Sequence, residues 1–143
     1  MQRQTFPNSA HLEFPWSAPR NGWEQGFAWI REHTPENAMF ALDADYIAMP
    51  GENAQNFRAI AERSAPPDYS KDGGATAIAP DLTDEWMDGE RLQRHLDRRM
   101  ASDDTEKLRS AGVNRVVLAP ETPTGFVCPY RNQVVKVCQL GKK

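Results

Sequence analysis

Catalytic signatures are what this sequence most conspicuously lacks. No glycine-rich loop matches a phosphate cradle: Asp72-Gly73-Gly74 is without the lysine and helix start of a P-loop, and no G-x-G-x-x-G occurs. There is likewise no G-x-S-x-G, no H-E-x-x-H and no cysteine with a histidine partner at a recognisable spacing. The three histidines, His11, His33 and His95, show no ligand-like spacing, which argues against a zinc site built with the two cysteines. Long apolar runs are missing too: nothing is long enough to cross a bilayer, and residues 1–20 lack the apolar core of a signal peptide. A basic excess is also absent. The net charge of -3 argues against a nucleic-acid or anionic-membrane binder, because phosphate binding needs clustered Lys and Arg. The densest basic stretch, Arg91 to Arg99, is interleaved with Glu90 and Asp97 and reads as a solvated helix face.

Cysteine is nearly absent, and the two that exist carry information. Cys128 and Cys138 bracket Pro129-Tyr130-Arg131-Asn132 and the strand-like run Gln133 to Val137. An isolated pair this close reads as one disulfide pinning a C-terminal hairpin or strand end, which asks for an oxidising compartment. The other reading is two reduced cysteines buried as small apolar side chains. A disulfide without an export signal is a conflict. It is resolved if Met1 to Lys143 is a piece of a longer protein whose upstream part handles translocation; otherwise the chain is cytoplasmic with free thiols.

At 39% hydrophobic and 26% charged residues, 143 residues suffice for a single core, so one domain is expected. Pro7, Pro15 and Pro19 make residues 1–20 an irregular arm or linker, leaving 21–143 as the domain. Asn21 with Glu24 forms a capping-box pattern ahead of Trp23, Phe27 and Ile30 at helical spacing, and Thr34-Pro35 ends that helix. Ala38 to Leu42 reads as a strand. Asn53 starts a second helix with Phe57, Ile60 and Ala61 inward, stopped by Pro66-Pro67. Asp68 to Lys71 and Ala75 to Ala79 are extended candidates. Thr83 opens the longest helix, reaching about Met100, with Trp86, Leu92, Leu96 and Met100 as its contacts. Asp103 and Glu106 repeat the capping box, Leu108 and Ala111 face inward, and Gly112 ends that helix. Val113 to Ala119 and Gln133 to Leu140 are the last strands. This order predicts a small open α/β sheet, mostly parallel, with packed helices and an antiparallel C-terminal strand.

The best local hint of chemistry is Asp43-Ala44-Asp45, two carboxylates at the carboxyl end of a predicted strand, where open α/β sheets place ligands. Such a pair could share a divalent cation, Mg²⁺ or Mn²⁺, although two acids beginning a surface loop are also ordinary. Glu62, Arg63, Lys71 and Asp72 could gather near the same sheet edge, either ordering its loops through salt bridges or touching a ligand. Tyr46 and Tyr69 fit surface anchors or ring contacts to a sugar. Of the four tryptophans, Trp23 and Trp29 fit helix-to-sheet packing.

Longer strings carry a resemblance. Trp29 to Pro35 followed by Ala38 to Asp43, then Pro50-Gly51-Glu52, Phe57 to Ser64, Lys71-Asp72, and finally Cys128 to Asn132 with Val137-Cys138, resemble the soluble C-terminal domain of uncharacterised bacterial multi-spanning membrane proteins. Those proteins are similar in layout to the membrane-embedded C-type glycosyltransferases. The resemblance implies a chain that follows a transmembrane region and faces the periplasm, without catalytic residues or a cofactor of its own. It would be an accessory domain whose partners are that upstream region and a glycan, a lipid-linked sugar or an acceptor. The alternatives are a small stand-alone enzyme using Asp43 and Asp45 with a metal, and a structural interaction module burying a tryptophan surface.

Overall fold

Alternation along three short strands organises this chain. The computed structural model describes residues 22–43, 57–67, 73–101 and 105–141. Its strands are β1 (Phe40–Leu42), β2 (Arg115–Leu118), β3 (Tyr130–Arg131) and β4 (Lys136–Gln139), forming a four-stranded open sheet in the order β1-β2-β4-β3. β1 and β2 run parallel, with Phe40 opposite Arg115. Outside β1, Ser64 adds a parallel bridge to Met39, and its carbonyl accepts the Phe40 N–H at 2.9 Å. β4 is antiparallel to β2 and to β3. The expected small open α/β sheet with an antiparallel C-terminal strand is therefore the fold, as a mixed sheet whose parallel part is β1-β2 and whose β4 pairings are antiparallel.

Successive strand residues point to opposite faces, so β1, β2 and β4 each feed two cores. Phe40, Leu42, Val117, Val135 and Val137 pack with Trp23, Phe27 and Ile30 of helix α1 (Gly22–His33) and with Phe57 and Ala61 of α2 (Phe57–Ala61). Ala41, Val116, Leu118, Cys138 and Leu140 form the other core. They meet Leu96 and Met100 of α5 (Leu96–Ala101) and Leu108 of α6 (Glu106–Ser110). Two further helices, α3 (Gly73–Ile78) and α4 (Thr83–Gln93), precede α5.

The α1 stripe at spacings of four and three is the one expected, and the helix stops where proline disfavours helical geometry in the residue before it. Its packing is close: a Cβ at Gly26 would stand 2.7 Å from Val135 Cγ2, so only glycine lets the helix backbone sit this near β4. Trp29 stacks on Tyr130 with ring centroids 5.0 Å apart, which ties the helix to β3 as packing, not as an exposed platform.

Three expectations are corrected. Ala75 to Ala79 is not extended: α3 occupies Gly73–Ile78, because alanine is the strongest helix former and Ala79 N–H closes a turn on Ala75 O at 2.9 Å. The helix from Thr83 does not run to Met100. It ends at Gln93, Arg94 is extended at its C-cap, and His95 takes a positive φ of 55° before α5 begins. Ala111 does not face inward; it is the exposed C-cap of α6, followed by Gly112 at φ 82° as the left-handed residue that the sequence placed there. Residues 1–21, Asn53, Asp68 to Lys71 and Asp103 lie outside the described residues.

Candidate functional site

The carboxyl ends of β1 and β2 gather the buried polar groups of the second core. Asp43, immediately after β1, is buried, and its Oδ2 accepts the Leu96 N–H at 3.0 Å. A carboxylate at the first turn of a helix satisfies one of the donors that have no partner within the helix itself. This contact explains the break at His95. A continuous helix would give the Leu96 N–H to Leu92 O, whereas the reversal frees it for Asp43 and lets Leu96 and Met100 reach the sheet.

Gln93, the last residue of α4, supports the same edge. Its Oε1 accepts the Leu42 N–H at 3.2 Å, and its Nε2 donates to Pro66 O at 3.2 Å and Pro67 O at 3.1 Å. One buried amide thus joins a strand, a helix end and the loop after α2. That crossing is tight: a Cβ on Gly89 would lie 2.8 Å from both Pro67 Cδ and Pro67 O.

Beyond β2, Asp97 Oδ1 accepts the Ala119 N–H at 3.1 Å and the Thr122 hydroxyl. Thr122 O in turn accepts the ammonium of Lys136, a buried residue that opens β4 opposite Leu118 and Arg131. Burial holds the Lys136 ammonium below the usual lysine pKa. Neighbouring Arg131 adds to that shift, and Asp97 and Glu121 oppose it. Because the folded pKa is depressed, the unfolded chain binds more protons between that value and the unfolded value near about 10.4, so stability should rise with pH across this window. Lys136→Met is expected to flatten that rise and, at neutral pH, to change stability by no more than about 1 kcal/mol, since an apolar replacement removes a desolvated charge. Urea midpoints of both proteins at neutral pH and near about pH 10 measure the difference. Equal slopes in the two proteins would refute the assignment.

Arg63 and Glu62 sit at the other side of β1. Arg63 is buried, and its guanidinium closes two helix ends at once. Nη2 donates to Arg31 O at 2.8 Å and Thr34 O at 2.6 Å, Nε to Thr34 Oγ1 at 3.1 Å, and Nη1 to Glu62 O at 2.9 Å. Glu62 ends α2 in the left-handed region at φ 52°, and its exposed carboxylate is 3.9 Å from Arg31. A solvated pair of this kind is worth about 0–1 kcal/mol. The contacts of Arg63 are thus backbone carbonyls and the Thr34 hydroxyl, where the sequence suggested salt bridges or a ligand. Asp45, Lys71, Asp72, Tyr46 and Tyr69 lie outside the described residues.

Cys128 and Cys138 are joined in a disulfide with S–S 1.98 Å, tying the connection after β2 to the buried centre of β4. No family model, curated protein or solved structure matches the chain. Among the described residues, no group of three His, Cys, Asp or Glu side chains is placed to hold a metal ion, and no helix is long and apolar enough to cross a membrane.

Sequence reasoning missed Gln93 and Lys136. Gln93 carries no local signal, since apart from Gly89 O one turn earlier its partners are 26, 27 and 51 residues away. Lys136 does carry one: it interrupts an apolar run from Val134 to Cys138, and a lysine inside a buried strand needs a compensating acceptor.

Proposed function

We propose that this chain is a non-catalytic extracytoplasmic accessory domain of a polytopic, glycosyltransferase-like membrane protein, contacting a glycan, an acceptor or a protein partner. The observation that carries the reading is the Cys128–Cys138 disulfide, because such bonds persist in oxidising compartments and are rare in the cytosol. Further support comes from how the candidate site residues are used. Asp43 spends a carboxylate oxygen on the Leu96 N–H and Arg63 spends its guanidinium on carbonyls, so both serve the framework. The membrane attachment and the glycan class rest on the sequence resemblance alone.

Two measurements test it. Sequencing the source DNA upstream of Met1 should reveal a reading frame continuing into apolar spans of about 20 residues; an in-frame stop ahead of a functional start site would refute the attachment. Thermal melts of the purified chain should be indifferent to chelator and to added Mg²⁺ or Mn²⁺. Saturable Mn²⁺ binding abolished by Asp43→Asn and by Asp45→Asn would instead establish the metal-dependent enzyme.

A further inference from the structure

The alternating charges of Arg91 to Arg99 read in sequence as a balanced, solvated face, but the fold sorts them. Glu90 turns inward, is buried, and accepts both Nε and Nη2 of Arg94 at 2.8 and 2.5 Å. Asp97 turns toward Ala119 and Thr122. The cations stay outside, lining an open groove of about 530 Å³ formed by Arg91, Arg94, His95, Arg99 and Lys107, with Asp88 the carboxylate in the lining among the described residues.

The concavity comes from the reversal at His95. α4 presents Asp88, Arg91 and Leu92 on one wall, since residues three and four apart share a helix face. The turn brings α5 back across it, where Arg99 Nη1 donates to Leu92 O at 3.1 Å, and Lys107 of α6 closes the end. Among the described residues, the lining holds four cations, Arg91, Arg94, Arg99 and Lys107, of which Arg94 is paired with the inward Glu90, against one carboxylate, Asp88. The Arg91–Asp88 contact is 3.5 Å between two exposed side chains, weak enough for a better acceptor to displace. Guanidinium forks bind phosphate oxygens through paired, charge-assisted hydrogen bonds that a single carboxylate at this distance does not supply.

We propose that this groove binds a phosphate-type oxyanion, a phosphate or pyrophosphate group carried either by a soluble small molecule or by a lipid headgroup. The inference rests on the groove alone and is independent of membrane attachment.

The test uses the full chain at low ionic strength. Inorganic pyrophosphate is titrated by calorimetry, and flotation is measured with phosphatidylcholine vesicles with and without phosphatidylglycerol. The double variant Arg91→Gln/Lys107→Gln removes two exposed groove cations. Arg98→Gln/Arg115→Gln removes the same charge elsewhere, so general electrostatics and the groove are separable. Saturable binding of either probe, weakened about tenfold or more in the groove variant and less than about twofold in the control, supports the proposal. Pyrophosphate binding then identifies a soluble ligand, and binding confined to phosphatidylglycerol vesicles identifies a headgroup. Absence of saturable binding to both probes, or equal loss in the two variants, overturns it. Circular dichroism of both variants checks that the fold is intact.

Discussion

Gln93→Leu is expected to destabilise the domain by about 3 kcal/mol, because the change removes one acceptor and one amide donor from a buried junction without supplying replacements. The Leu42 N–H would lose its acceptor at 3.2 Å, and the carbonyls of Pro66 and Pro67 their shared donor. A buried group left unpaired costs about 1–3 kcal/mol each, and the three losses are not additive because the loop can shift toward water. For a domain of this size, that corresponds to a fall in melting temperature of roughly 10 °C. Gln93→Glu sharpens the test. It keeps an acceptor for Leu42 but sets a carboxylate against the carbonyl oxygens of Pro66, Pro67 and Gly89, so its folded pKa should rise and the variant should regain stability as pH falls through that raised value. Denaturant unfolding of the two variants at pH about 4 and 7 measures this. A loss below about 0.5 kcal/mol in Gln93→Leu would mean the junction is not structural.

Removing the disulfide ranks second. Closing a loop with ends ten residues apart, from Cys128 to Cys138, should contribute about 2–3 kcal/mol by restricting the unfolded chain. The double variant Cys128→Ala/Cys138→Ala is expected to melt lower by several degrees. Amide exchange should increase most in residues 119–129, the connection between β2 and β3 that the bond holds to β4. Alanine is chosen because Cys138 is fully buried in the second core, where a serine hydroxyl would add an unrelated desolvation cost. Mass spectrometry of the unreduced parent should give a chain lighter by two hydrogen atoms. Unchanged melting in the variant would remove the disulfide from the stability argument and weaken the extracytoplasmic reading with it.

What could be read from the residues was whatever is encoded locally. The spacing of Trp23, Phe27 and Ile30 gives α1, the apolar runs give β1, β2 and β4, and Gly112 marks the end of α6. The break at Arg94 and His95 was not legible, since its cause is a carboxylate 53 residues earlier in the chain. β3 is only two residues long and exists because the turn beside it is pinned: Asn132 Oδ1 accepts the Val134 and Val135 N–H groups at 2.9 and 2.8 Å, and its Nδ2 reaches Gly22 O at 2.7 Å. The candidate site was half visible. Asp43 and Arg63 stand out in sequence as charged residues beside strands, but whether such a group meets a ligand or a backbone amide depends on what folds over it. The basic groove was hidden for the opposite reason: counting charges along a helix averages over faces that the fold separates.

The alternation of β2 between two cores also governs where this chain can change length. Val116 and Leu118 belong to one layer and Val117 to the other. Inserting a single residue there would exchange the inventories of both layers at once, since a slip of one position moves every side chain to the opposite face. At Gly125 the situation is reversed: the residue is exposed, with no atom within 4 Å of where a Cβ would stand. Evolution and protein engineering alike thus have room for insertions, tags or grafted loops in the connection around Gly125, while the few residues of β2 fix the register of the whole domain.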